Sequence, residues 1–179
     1  MSRIKLATWD IEGTLILAEA LKTKEADMVV RGNCLQLIRE PPKLNLIEGV
    51  EPVMRYLQAQ NVHQGIASSY AYQFANNYLA ACSARDYIDP RIVILANKFA
   101  WEGHVLDGKD WDETLRIYAK PSPKMLDIAR GKLEEILGQS ISETECMHIG
   151  DQKHDEEAAK NAGWNFLHIE DIAKIREII

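Results

Sequence analysis

The order of apolar patterns along this chain predicts an α/β fold, a parallel, doubly wound sheet with helices on both faces. Three observations predict it. Five short β-leaning apolar runs recur, at residues 4–9, 62–67, 91–95, 145–149 and 164–169. Helical spacing of apolar residues separates most of them. Two of the helical stretches stop at a glycine, Gly138 and Gly163. Strands that alternate with helices in one chain pair in parallel through right-handed crossovers.

Residues 4–9 read as a short buried strand that stops abruptly at two carboxylates one residue apart, Asp10 and Glu12. Gly13 lets the backbone turn there and approach a ligand, and Thr14 adds a hydroxyl. Residues 16–47 form a mixed insert broken by Pro41-Pro42, too short for a domain of its own. Val50, Val53, Met54 and Leu57 share one helical face before the second strand, and residues 72–81 suggest a helix after it. Beyond the third strand, residues 96–108 read as a β-hairpin turning near Glu102-Gly103. Pro121 stands where a helix would start, and Met125, Leu126, Ala129, Leu133, Ile136 and Leu137 continue it to Gly138. A last helix would run from about His154 to Ala162. Residues 1–179 make one domain with one core, which at this length needs neither disulfide nor structural metal.

Net charge of −6 and a pI near 5.4 offer no diffuse attraction for nucleic acid or an anionic membrane. A phosphate ester would have to be captured locally. The three cysteines, Cys34, Cys82 and Cys146, have neither paired nor zinc-ligand spacing, which fits a reducing compartment. The first residues lack the apolar core of a signal peptide, and no run is long enough to span a bilayer. The expectation is a soluble, cytoplasmic protein.

Ligands of open α/β sheets bind at the carboxyl ends of the strands, where Asp10 and Glu12 fall. Ser68 and Ser69 end the second strand, Lys120 precedes Pro121 at a helix start, and Gly150-Asp151, with Asp155 four residues on, follows the fourth. Taken singly each is bland: paired acids after a strand cap a turn, serines cap helices, a lone lysine is solvated, and Asp155 complements a helix dipole. His148 reads as core-facing or at a strand edge, and His154 as a surface helix residue, neither with metal-ligand spacing. What changes the reading is that all four groups lie at strand ends or helix starts.

In that order the chain resembles the haloacid dehalogenase (HAD) superfamily, mostly aspartate-nucleophile phosphatases with four separated motifs on a three-layer Rossmann-like sheet. The motifs are Asp10-Ile11-Glu12-Gly13-Thr14, the serine of Ala67-Ser68-Ser69, Lys120 in Lys120-Pro121-Ser122-Pro123, and Gly150-Asp151 through Asp155. Unaided hydrolysis of a phosphate monoester lags the enzymes by up to roughly 10²¹-fold, so positioning and charge neutralisation must both be supplied. In the roles the resemblance implies, Asp10 attacks phosphorus. Glu12 protonates the leaving oxygen and then deprotonates the attacking water. Ser68, Ser69 and Lys120 bind phosphoryl oxygens, and Lys120 neutralises developing charge. Carboxylates converging without a cation would raise one another's pKa values, which implies Mg²⁺ held by Asp10, Asp151 and the carbonyl of Glu12. Thr14 and Asp155 support the site, and Asp155 either holds a metal-bound water or orients Lys120.

Most phosphatases of the superfamily have aspartate where Glu12 stands; the D-x-E-G-T pattern resembles the enolase-phosphatases. The stretch between Thr14 and Ser68 is too short for that branch's helical cap, and the overall spacing is more similar to small, nearly capless magnesium-dependent phosphatases. An insert and a hairpin would then stand in place of a full cap, leaving a cleft open to a phosphorylated small molecule or macromolecule, or closed by a second copy of the chain. Two other functions remain open: a fold that binds phosphate with little or no turnover, and a dehalogenase-type hydrolase.

Overall fold

A computed structural model of the chain describes residues 3–16, 45–69, 75, 79, 82–107 and 110–179. Five parallel strands form one sheet in the order β3-β2-β1-β4-β5: β1 (Leu6–Trp9), β2 (His63–Ser68), β3 (Val93–Leu95), β4 (Cys146–Gly150) and β5 (Asn165–His168). All five match the apolar runs of the sequence, and β1 is central, paired with β2 on one side and β4 on the other. Strand order reverses across β1, so its carboxyl end opens the crevice that such sheets use for ligands.

Because side chains alternate across a strand, the sheet divides its apolar residues between two cores. Ala7, Trp9, Ile66, Met147 and Ile149 point to one face, covered by α1 (Val50–Ala59) through Val50, Met54 and Leu57. Leu6, Ala67 and Cys146 point to the other, covered by α4 (Lys124–Leu137) and α5 (Lys153–Ala162) through Met125, Leu126, Ala129, Leu133, Ala158 and Ala159, with α2 (Ala96–Asp107) and α3 (Trp111–Tyr118) between β3 and α4 in the chain. Gly138 and Gly163 cap α4 and α5 in the left-handed region, at φ 66° and 73°. Of residues 72–81, only Ala75 and Leu79 are described; both are helical and buried in the first core. Of the 16–47 insert, residues 17–44 lie outside the described residues. Its two ends meet, since the Ile47 amide donates to the Leu15 carbonyl at 2.9 Å.

The expected hairpin is corrected. Residues 96–107 form the helix α2 (Ala96–Asp107), followed by a further helix, α3 (Trp111–Tyr118). Ala96, Phe99, Ala100 and Gly103 recur at helical spacing, and Ala96, Ala100 and Gly103 are buried while Phe99 stacks on Tyr118 of α3 with ring centroids 4.4 Å apart. Glu102-Gly103 is therefore mid-helix, and the glycine lies on its buried side. Asp110 begins α3, its carboxylate accepting the Glu113 amide at 2.8 Å. A short C-terminal helix, α6 (Ile175–Ile178), closes the chain through the buried Ile175.

Candidate active site

After Trp9 the chain turns tightly: the amides of Leu15 and Ile16 both donate to the Ile11 carbonyl at 3.0 Å, and Gly13 takes φ 78°. A side chain at Gly13 would collide with the Asp151 carboxylate, so this glycine serves both the turn and the close approach of β1 to the loop after β4. Gly150 has a similar duty. A Cβ there would lie 2.5 Å from the Asp155 carboxyl group, which α5 lays over the end of β4.

These approaches bring together Asp10, Lys120, Asp151 and Asp155, from four segments. Lys120 Nζ lies 2.7 Å from Asp10 Oδ1 and 2.5 Å from Asp155 Oδ1, and donates to the Ala67 carbonyl at 3.2 Å. Its side chain is 2% exposed. The peptide bond between Lys120 and Pro121 is cis. Thr14 donates from its hydroxyl to Asp151 Oδ1 at 3.2 Å, Gln152 donates its amide side chain to the other Asp151 oxygen, and His168 Nε2 lies 3.0 Å from the Asp151 carbonyl.

A cavity of about 470 Å³ opens over this cluster, lined by Asp10, Glu12, Ser68, Lys120, Asp151 and His154 among others. Ser69, Gly13 and Gln152 complete the lining. All the residues expected from the sequence therefore face one space, except Thr14 and Asp155, which stand behind it as supports. Gln152, His154 and Asn97 were not foreseen here. His154 had read as a surface residue, and Asn97, whose side chain donates to the Ser69 carbonyl, fell in the misread hairpin. The His154 signal was available, since α5 begins next to Asp151 and its first turn must face the same crevice.

Asp10, Asp151 and Asp155 offer oxygen atoms within 4.8 Å of one another, a donor set suited to a hard divalent cation. The roles divide, however. Asp155 is fully buried and off the cavity wall; its Oδ2 accepts the Gln152 amide at 2.9 Å, and its Oδ1 meets Lys120. Asp10 and Asp151 face the cavity, so they and the adjoining Glu12 loop fit a metal, while Asp155 holds Lys120.

Behind Asp155 lies His148, wholly buried on β4, its Nε2 3.5 Å from Asp155 Oδ1. Burial lowers the pKa of His148, with the nearby Lys120 charge adding to the effect and Asp155 opposing it. For Asp155, burial works against ionisation, but His148 and Lys120 outweigh it and hold the carboxyl well below the usual carboxylate range. Both groups thus bind fewer protons in the folded chain than in the unfolded one, and acid destabilises the fold through each. The His148 contribution is complete above its ordinary pKa of 6.5 and declines as pH falls from there; the Asp155 contribution begins to fail only below 3.8. In chelator, the urea midpoint should fall between pH 7 and 5.5, and His148→Gln should remove that first decline while leaving the one below pH 4. A midpoint level from pH 7 to 5.5 in the parent protein would contradict this assignment.

Cys82 and Cys146 are buried free thiols, and burial pushes them up to about 11 and about 12, so neither supplies a thiolate at neutral pH. Cys34 lies outside the described residues. Among the described residues no helix is long and apolar enough to cross a membrane.

The sequence profile of haloacid dehalogenase-like hydrolases matches residues 18–163, and the chain belongs to that family. Asp10, Glu12 and Thr14 precede the matched stretch and are joined to it by the geometry above. The uncharacterized hydrolase C7D4.05 of Schizosaccharomyces pombe is 40% identical over 70 residues, 34% of this chain and 31% of that protein, so the match spans under a third of the relative. Among solved structures, CbbY from Rhodobacter sphaeroides in complex with phosphate superposes with a TM-score of 0.61 at 14% identity, covering 92% of this chain and 85% of that one. A HAD-superfamily hydrolase from Ehrlichia chaffeensis gives 0.62 at 15% identity, over 99% and 96%. At such identities the likeness is one of fold.

Proposed function

We propose that the chain is a Mg²⁺-dependent phosphatase that hydrolyses a phosphate monoester through an aspartyl-phosphate. The observation that carries this reading is the Asp10 carboxylate, on a side chain 10% exposed at the cavity wall and paired with the Lys120 ammonium at 2.7 Å, in the same acidic cluster as Asp151. A carboxylate beside one fixed cation and a cluster suited to a second is a nucleophile placed where an anionic phosphoryl group can approach. Asp10, Asp151 and the Glu12 carbonyl would hold Mg²⁺, which supplies positive charge against the phosphoryl oxygens. A phosphate is bound in the CbbY structure, which shares this fold, and this supports a phosphate-binding site here.

Asp10 forms a bond to phosphorus as the ester P–O bond breaks; the electron pair leaves on the alcohol oxygen, which takes the Glu12 proton. Glu12, now a carboxylate, removes a proton from water as that water attacks phosphorus and frees Asp10 and inorganic phosphate. Ser68, Ser69 and Lys120 hold the phosphoryl oxygens through both steps. About 470 Å³ of cavity suits a small-molecule ester.

A panel of phosphate monoesters, with chloroacetate as a halide-release control, tests the reading. Inorganic phosphate should be released with Mg²⁺ and not with excess chelator. Halide release without phosphate release would favour a dehalogenase, and phosphate binding with no turnover of any ester would favour a binding module.

A further inference from the structure

His148 is a buried titratable side chain that the chemistry above does not use. Thr8 on β1 and His148 on β4 are register partners on adjacent parallel strands, both fully buried on the face that α4 and α5 cover. Thr8 Oγ1 lies 3.0 Å from His148 Nδ1. On the other side of the ring, Nε2 has no hydrogen-bond partner among the described residues, and its nearest carboxylate is Asp155, with Oδ1 at 3.5 Å. Asp155 Oδ1 in turn meets Lys120, and Lys120 meets Asp10. A continuous polar chain therefore runs from inside the sheet to the nucleophile: Thr8, His148, Asp155, Lys120, Asp10.

The position of the ring proton follows from what each nitrogen faces. Were it on Nδ1, Nε2 would turn a lone pair toward the buried Asp155 carboxylate, a repulsion with no water to screen it. With the proton on Nε2, the ring points its N–H at that carboxylate, 3.5 Å away, while Nδ1 accepts from the Thr8 hydroxyl. A second ring proton would add a cation to a dry site that already holds Lys120.

We propose that His148 is a positioning residue: a neutral imidazole, protonated at Nε2 and oriented by Thr8, that fixes the Asp155 carboxylate and through it the placement of Lys120 against Asp10. The proposal rests on the phosphatase reading for its effect on turnover, but the hydrogen-bond assignment stands apart from it. Asp155 is gripped at Oδ2 by the Gln152 amide. The imidazole supplies the other restraint, at Oδ1, so that Lys120 presents its charge in one place. Outer partners of this kind change turnover by roughly 10- to 100-fold when removed.

The test uses the full chain with ¹⁵N-labelled histidine, in chelator at pH 7, and a long-range ¹H–¹⁵N correlation spectrum in which the His148 signals are assigned by their loss in His148→Gln. The expected spectrum is a neutral ring with Nε2 protonated, and Thr8→Val should shift the Nδ1 resonance and mix the tautomers. A ring protonated at Nδ1, or an imidazolium, overturns the proposal whatever the activity. In the phosphate-release assay, His148→Leu should lower kcat about 10- to 100-fold with KM little changed. His148→Gln, which keeps an N–H donor, should recover most of that loss. Equal kcat in the parent and a folded His148→Leu also overturns it, as does failure of the glutamine to rescue when both variants are folded. Failure of the phosphatase reading shows separately, as a parent protein that releases no phosphate, and the tautomer result then decides the structural claim alone.

Discussion

Replacing Asp10 with asparagine should reduce phosphate release by at least about 10³-fold while leaving the protein folded. A thousandfold loss corresponds to roughly 4 kcal/mol of transition-state stabilisation, the scale expected when a nucleophile becomes a neutral amide of the same shape. The fold should tolerate the change because Lys120 keeps Asp155 and the Ala67 carbonyl as partners at 2.5 and 3.2 Å. Loss of activity through unfolding is thereby separated from loss of chemistry. Rapid-quench labelling with a ³²P-ester of an acidic alcohol such as a nitrophenol, whose departure needs no proton from Glu12, adds a positive signal: Glu12→Gln should accumulate acid-stable label on Asp10, since the second step lacks its base. Label on the protein in Asp10→Asn, or undiminished turnover in that variant, would remove Asp10 from the mechanism.

The strands and most of the site were legible for one reason. In a parallel sheet covered on both faces, apolar runs are nearly continuous, broken here only by single buried polar residues such as Thr8, Gln64 and His148, and their carboxyl ends are marked by the polar residues that face the crevice, Asp10, Ser68 and Asp151. Those end-markers are also the catalytic candidates, so finding the strands found the site. Lys120 was legible only by its company, through Pro121 and the helix that follows.

The misreadings have physical causes too. Gly103 carries two meanings: it is a turn former in isolation and a small residue for a crowded helix flank, and only the spacing of Ala96, Phe99 and Ala100 separates them. Helix α3 spans only about two turns, too few for its apolar spacing to stand out, and its start is marked by Asp110 with Asp112 and Glu113. The Thr8–His148 contact joins residues 140 positions apart. Nothing local signals it; it follows from the register of β1 against β4, which exists only once the sheet is built. His148 could be placed on a strand from sequence, but its partner and its role could not.

The second large effect is expected at Lys120, in stability as much as in activity. Lys120→Met leaves the fully buried Asp155 with the Gln152 amide and His148 but no cation, and removing one partner of a buried ion pair costs about 3–5 kcal/mol. Turnover should fall at least about 10²-fold, because the ammonium proposed to face the phosphoryl oxygens is gone. The urea midpoint at pH 7 measures the first effect and phosphate release the second. Their causes can be separated by neutralising the stranded acid. The double variant Lys120→Met, Asp155→Asn should recover a large part of the lost stability, because an amide at 155 is far cheaper to bury than a carboxylate, yet it should recover no activity. Lys120→Arg is not a conservative repair: a planar guanidinium cannot place one nitrogen between Asp10 and Asp155 and also reach the Ala67 carbonyl in a site where the lysine is 2% exposed. If Lys120→Met were as stable as the parent at neutral pH, Asp155 would have to be uncharged in the fold. The depression of its pKa by His148 and Lys120, and with it the polar chain to Asp10, would then be wrong.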